Sequence, residues 1–105
     1  MSRQEKVNEL LRELAAEFLE RESNRQSLIT VTNATVSADL KRATIYFTVL
    51  PEEKELAALD FAKRKRKELR EFVGKRTKLR VLPFLDVEID KGQKLTQKIN
   101  ELSNK

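Results

Sequence analysis

The sequence predicts an α+β fold in which helices cover one face of a three-stranded β-sheet. Two long segments place apolar residues at helical spacing, whereas two segments in the first half of the chain alternate apolar and polar residues as strands do. The predicted order is helix, strand, strand, long helix, strand and a short helix that begins after Gly92. With 105 residues, of which 39% are apolar, the chain can form one modest core. We therefore expect a single domain spanning residues 1–105.

The first predicted element is an amphipathic helix over residues 2–22. Ser2 and Glu5 have the spacing of a capping box, which places the start of the helix, and Asn24 is the predicted terminator. The apolar side chains recur every three or four residues and form one stripe: Val7, Leu10, Leu11, Leu14, Phe18 and Leu19.

Residues 28–37 and 43–50 predict an antiparallel β-hairpin with a short turn between the strands. In the first strand the apolar positions shift phase by one residue, which predicts a β-bulge near Asn33. The second strand alternates without interruption, so Tyr46 points away from the apolar side. We expect Asp39, in the turn, to accept local backbone hydrogen bonds rather than to act in catalysis.

A long helix is predicted over residues 52–74, with glutamates near its start and basic residues in its second half, as the helix dipole favours. Six consecutive charged residues at 63–68 interrupt its apolar stripe. The helix is therefore either kinked there or projects that turn away from the core. Gly74 is the predicted C-cap.

The third predicted strand covers residues 79–90. Pro83 within it requires an edge position or a break, because proline cannot donate to the ladder. Asp86, Glu88 and Asp90 then alternate with apolar residues, and carboxylates of this kind can hold Mg²⁺. An antiparallel strand with one solvent face explains the alternation fully, so we predict no metal site.

The composition excludes several functional classes. The chain contains no Cys and no His, so it has neither a thiolate or imidazole metal site nor a Ser-His-Asp or Cys-His nucleophile. Its two glycines are too far apart for a glycine-rich nucleotide loop, and no apolar run is long enough to span a bilayer. We expect a cytoplasmic protein that is not an enzyme, binds no cofactor or small-molecule substrate and does not associate with membranes.

The positive charge is concentrated in one segment. Residues 1–62 contain 8 Lys/Arg against 11 Asp/Glu, residues 63–80 contain 10 against 2, and residues 81–105 contain 4 against 4, which together give the net charge of +5. A local surplus of this size favours a polyanionic partner such as RNA. The candidate RNA-binding residues are the ten cations of the middle segment: Lys63, Arg64, Lys65, Arg66, Lys67, Arg70, Lys75, Arg76, Lys78 and Arg80.

If the segment remains helical, four of these cations share one face: Lys63, Arg66, Lys67 and Arg70. Like charges at that spacing destabilise a helix slightly, which favours a use outside the fold. The alternative is a solvated face whose charges bind nothing specific.

The aromatic residues predict no stacking platform for nucleobases. Tyr46 alone points outward from its strand, and the phenylalanines mostly fit the core: Phe18, Phe47, Phe61, Phe72 and Phe84. Recognition of phosphates and of RNA shape is therefore the expected mode.

Four stretches of the chain stand in a characteristic order: VTNATVSADLKRATIYFTVL at 31–50, Leu69-Arg70, LRVLPFL at 79–85, and Asp90. Their most specific elements are Asp39-Leu40 with Ala43, and Leu79-Arg80 with Pro83. Together these stretches resemble the bacterial ribosome-binding factor A family over nearly the whole chain.

The resemblance implies a type II KH-like fold and a non-catalytic function: binding the small ribosomal subunit and its rRNA, and assisting late maturation and processing of that rRNA. It also implies that the RNA surface forms around a helix-kink-helix, where the family carries Ala-x-Gly. Counting back from Pro83 places this kink at Lys65-Arg66-Lys67, which contains neither Ala nor Gly. The basic side chains there would add phosphate contacts.

Two other functions are compatible with the same residues. One is a general nucleic-acid-binding domain of the same architecture without ribosome specificity. The other is a protein-interaction module whose basic helix docks on an acidic partner. The low aromatic content offers no obvious dimer patch, so we expect a monomer.

Overall fold

The computed structural model describes residues 2–22, 27–79 and 82–92 of the chain. The α+β class and the order of the elements agree with the prediction. The expected terminator Asn24 and the helix expected after residue 92 lie outside the described residues. The elements are α1 (Arg3–Glu22), β1 (Leu28–Val36), β2 (Arg42–Leu50), a 3₁₀ turn (Glu52–Lys54), α2 (Glu55–Arg64), α3 (Arg66–Arg76) and β3 (Phe84–Ile89).

The sheet has the strand order β1-β2-β3, with β2 antiparallel to β1 and parallel to β3. The expectation of an antiparallel third strand is therefore wrong. The connection through α2 and α3 returns the chain to the end of the sheet from which β2 starts, and a parallel pair needs a long crossover of this kind. The third strand is also shorter than the predicted 79–90. It begins directly after Pro83 and lies at an edge, as the missing amide hydrogen of proline favours.

The predicted bulge in β1 is confirmed. The register with β2 shifts between Val31 and Asn33, so Thr32 is the extra residue. The Thr32 hydroxyl donates to Asp90 Oδ2 at 2.5 Å and lies 3.3 Å from the carbonyl oxygen of Tyr46. The bulge thus links β1 to the residue that follows β3.

The core lies between one face of the sheet and the three helices. Alternate residues of β2 are buried, and side chains of every helix and strand join them in one cluster. On the other face, threonines and Tyr46 of β2 are half-buried, whereas Asp86 and Glu88 of β3 are exposed. The largest fully buried side chains are Phe47, Leu11, Leu19, Ile45, Leu69, Val73, Val87 and Pro83.

The two predicted helix ends have different outcomes. The capping box is confirmed in part, because the Glu5 N–H donates to Ser2 Oγ at 3.1 Å. Gly74, by contrast, does not end a helix, since it lies inside α3. A Cβ atom on Gly74 would stand 3.1 Å from Leu82 Cδ2, so the glycine lets the segment before β3 pack closely on α3. None of the described helices is long and apolar enough to cross a membrane.

Candidate nucleic-acid interface

The predicted long helix is interrupted at Lys65, which separates α2 from α3. The backbone of Lys65 has φ −94° and ψ 3°, and its N–H donates to the carbonyls of Phe61 and Ala62 at 3.1 and 3.2 Å. The Leu69 N–H then donates to the Lys65 carbonyl at 2.8 Å, so helical bonding resumes at once. Ala62 and Leu69 are buried, whereas none of the charged residues 63–68 between them is buried. The interruption falls where the resemblance implied a kink, without Ala or Gly.

Five consecutive cations surround this interruption, and we name them the junction cluster: Lys63, Arg64, Lys65, Arg66 and Lys67. Lys65 is half-buried and the other four are exposed. Lys67 lies on the side of α3 opposite the buried Leu69 and Val73. The cluster therefore presents positive charge to solvent at the interruption between α2 and α3.

Lys63, Arg66 and Arg70 lie in a row along the edge strand β3. Lys63 lines a cavity of about 460 Å³ beside the last residues of that strand. Arg66 Nη1 is 3.2 Å from Asp86 Oδ1, in the middle of the strand. Arg70 reaches the segment that precedes it. Three of the four cations predicted to share a face thus do so.

The side chain of Arg70 binds backbone carbonyls of the protein and is not freely exposed to solvent. Its Nε donates to the Pro83 carbonyl at 3.1 Å and its Nη2 to the Leu82 carbonyl at 2.9 Å. Its guanidinium carbon lies 4.9 Å from the centroid of the Phe84 ring. The side chain is half-buried, so these contacts fix it against the start of β3.

Several candidate cations form surface ion pairs. Exposed pairs contribute at most about 1 kcal/mol, so a phosphate can replace the carboxylate at little cost. Within the residues that the structure describes, no ion pair involves Lys63, Lys67, Lys75 or Lys78. The paired cations, besides Arg66, are Arg64 with Asp60 at 3.4 Å, Lys65 with Glu68 at 3.1 Å and Arg76 with Glu17 at 3.2 Å.

Arg76 lies on the opposite flank of α3, against α1. Its guanidinium is 4.6 Å from the Phe72 ring centroid, and Arg21 of α1 lies 5.4 Å from the same centroid. Phe72 in turn packs against Phe18 at 5.5 Å between centroids. Arg76 therefore belongs to the α1–α3 contact and not to the row along β3. The structure therefore does not bring all the described candidates together, and Arg80 lies outside the described residues.

Two of the three carboxylates that were considered for a metal site, those of Asp86 and Asp90, bind different partners. Asp86 pairs with Arg66, and Asp90 accepts from Thr32. No group of three or more acidic side chains that could hold a metal ion occurs among the residues that the structure describes. Asp39 accepts hydrogen bonds in its turn, as expected.

Phe84 is the residue that sequence reasoning misplaced. The prediction assigned it to the core, but its side chain is 70% exposed. The signal was present in the strand pattern, because Phe84 has the same parity as the exposed Asp86 and Glu88. The alternating pattern should therefore have placed its ring outside the core.

The chain is similar in sequence to known proteins over most of its length. The family model of ribosome-binding factor A matches residues 3–103. Ribosome-binding factor A of Thermobifida fusca is 36% identical over 104 residues, which cover 96% of this chain and 69% of that protein. The protein of the same name from Macrococcus caseolyticus is 32% identical over 108 residues, which cover 96% of this chain and 95% of that protein.

The fold is also shared with solved structures. The crystal structure of ribosome-binding factor A from Thermus thermophilus has a TM-score of 0.74 at 22% identity, over 84% of this chain and 97% of that chain. A homology model of the Thermus thermophilus factor, fitted into the cryo-EM map of a 30S complex, has a TM-score of 0.63 at 25% identity. That similarity covers 78% of this chain and 89% of the fitted chain.

Proposed function

Because this chain belongs to the ribosome-binding factor A family, we propose that it binds the small ribosomal subunit and its rRNA and assists late maturation and processing of that rRNA. The fit of the related Thermus thermophilus factor into a 30S complex supports the same partner for this chain. The proposed action is binding in the cytoplasm, without catalysis and without a cofactor.

The observation that carries this proposal is the junction cluster. Five successive cations surround a helix interruption, and the exposed Lys63 and Lys67 have no ion pair within the described residues. Each Lys or Arg that neutralises an RNA phosphate releases condensed counterions, which drives binding. The cluster therefore suits a phosphate backbone that passes the interruption between α2 and α3.

The test is co-sedimentation of the tagged protein with small ribosomal subunits in a sucrose gradient. We expect the wild type to sediment with the subunit and the Lys63→Glu/Lys67→Glu variant to stay at the top of the gradient. Arg66 and Arg70 are left unchanged, because both contact β3 or the segment before it. A control variant with the same charge change, Arg3→Glu/Lys6→Glu, alters exposed cations in the first turn of α1 and should sediment like the wild type.

Competitors separate this function from the two other candidates. Excess small subunits should displace the protein far better than large subunits or duplex DNA, whereas a general nucleic-acid binder would respond to all three. An interaction module for an acidic protein would keep its partner after nuclease treatment. Sedimentation of the Lys63→Glu/Lys67→Glu variant with the subunit at wild-type level would refute the assignment of the junction cluster.

A further inference from the structure

An exposed aromatic ring stands at the start of β3, on the outer side of the sheet. The side chain of Phe84 is 70% exposed, although its backbone is bound to the neighbouring strand. Its N–H donates to the Lys41 carbonyl at 2.9 Å, and it pairs with Arg42 in the register between β2 and β3. The ring is therefore presented from a rigid strand end beside the hairpin turn.

Arg70 contacts the Phe84 ring and cannot easily leave it. Its guanidinium carbon lies 4.9 Å from the ring centroid, while two of its nitrogens are bound to the carbonyls of Leu82 and Pro83. A guanidinium held in this way attracts the electron-rich face of an aromatic ring. Most of the ring remains in solvent, so an aromatic ligand can stack on the surface that Arg70 leaves free.

The hairpin turn places further positive charge beside the ring. Lys41 and Arg42 are exposed, and hydrogen bonds within the turn fix the backbone that carries them. Asp39 Oδ1 accepts from the Ser37 hydroxyl at 2.5 Å and from the Lys41 N–H at 3.0 Å. These bonds hold the pKa of the Asp39 carboxyl below its usual range, and the bond from the Ser37 hydroxyl has the larger effect. The Arg42 N–H donates to Ser37 Oγ at 3.2 Å.

We propose that Phe84, backed by Arg70, is a stacking site for one unpaired nucleobase of the bound RNA, with Lys41 and Arg42 contacting the adjacent phosphates. The inference rests on the proposed RNA-binding function and extends it. The junction cluster suits the phosphates of paired or unpaired RNA, whereas a stacking ring requires a base that is not in a helix. An apolar surface of a protein would also cover the ring, but an exposed aromatic ring beside several cations, a lysine among them, is typical of single-strand nucleic-acid binders, whereas lysine is depleted in protein interfaces. The cations around Phe84 favour RNA.

The test compares a short single-stranded RNA with a duplex of the same sequence, by fluorescence anisotropy at fixed salt. We expect Phe84→Ala to weaken single-strand binding by about 5- to 150-fold, the range for loss of one stacked base. Duplex binding and the salt dependence should not change. Phe84→Leu is the matched control, since it keeps an apolar side chain without a ring face, and it should lose a similar factor.

A second variant gives a direct signal. The chain contains no Trp, so Phe84→Trp introduces a single indole that should keep the affinity and lose fluorescence when a base stacks on it. Equal single-strand affinity of Phe84→Ala and the wild type would overturn the stacking site and leave the proposed function intact. Wild-type affinity of Phe84→Leu, or unchanged Trp emission on binding, would identify an apolar contact instead. A wild type that binds neither the short RNAs nor the small ribosomal subunit would overturn both proposals.

Discussion

Two cations of α3 that look equivalent in the sequence have different roles in the structure, and matched substitutions should separate them. Arg70→Gln and Lys67→Gln each remove one positive charge from the same helix. Arg70 donates two hydrogen bonds to the carbonyls of Leu82 and Pro83 and contacts the Phe84 ring. Lys67 is exposed and has no ion pair within the part of the chain that the structure describes. We expect Arg70→Gln to lower stability and Lys67→Gln to leave it almost unchanged.

The size of the effect follows from these contacts. A hydrogen bond from a charged donor contributes about 1.5–3 kcal/mol when it is well shielded. Arg70 is only half-buried, so water replaces part of each bond and about 1 kcal/mol per bond is the appropriate figure. The contact with the ring adds about 0.5–1 kcal/mol. The free energy of unfolding should therefore fall by about 2.5–3 kcal/mol, which lowers Tm by about 10–24 °C in a domain of this size. An exposed substitution such as Lys67→Gln should stay within about 0.5 kcal/mol.

The assay is urea denaturation followed by far-UV circular dichroism, with thermal unfolding as a second measurement. The m-value should be the same for all three proteins, since the folded state buries the same surface. Binding of duplex RNA, which does not use the stacking site at Phe84, should show the reverse order, with Lys67→Gln the weaker binder when folded protein is compared. Equal unfolding midpoints for the two variants would refute the structural role of Arg70.

Three further substitutions test other contacts. Asp86→Asn should strengthen RNA binding by up to about fivefold, because Arg66 no longer has to exchange a carboxylate for a phosphate, at a stability cost below about 1 kcal/mol. An unchanged Kd would contradict this. Gly74→Ala should not give the usual gain of about 1 kcal/mol in a helix interior, because the new Cβ would stand 3.1 Å from Leu82 Cδ2. In the Leu82→Ala background, Gly74→Ala should give this gain in stability, which a double-mutant cycle measures. Additive effects of the two substitutions would contradict the close approach of Leu82 to Gly74. Ser2→Ala should lower the free energy of unfolding by about 0.5–1 kcal/mol through loss of the N-cap, and a stability equal to the wild type would show that the cap is not needed.

Features that depend on residues close in the sequence could be predicted from the sequence. The phase slip in β1 predicted the bulge, because a strand exposes alternate residues and one extra residue reverses the faces. The gap in the apolar stripe predicted a disturbance near Lys65, since six charged residues cannot be buried. The direction of β3 was not readable in the same way. Alternation is identical in parallel and antiparallel strands, so the signal for a parallel pair was the long helix predicted between β2 and β3, which the prediction of an antiparallel strand did not use.

Features that depend on distant residues could not be predicted. Gly74 has the local signature of a C-cap, and the approach of Leu82 that explains it appears only in the folded chain. The same applies to the charges. Arg66 pairs with a residue 20 positions away, and Arg76 with one 59 positions away. Counting the cations along the sequence therefore located the basic segment, but it did not show which of these side chains form ion pairs with other residues of the protein.

The salt dependence of small-subunit binding tests the junction cluster most directly. If about six phosphates are contacted, raising the salt from 50 to 200 mM should weaken binding of the wild type by roughly a thousandfold. The Lys63→Gln/Lys67→Gln variant loses two contacts, so the slope of log Kd against log salt should fall by about 1.8 and the same change in salt should cost about a hundredfold. Equal slopes for the two proteins would mean that neither lysine meets a phosphate, and the RNA surface would have to lie elsewhere on the fold.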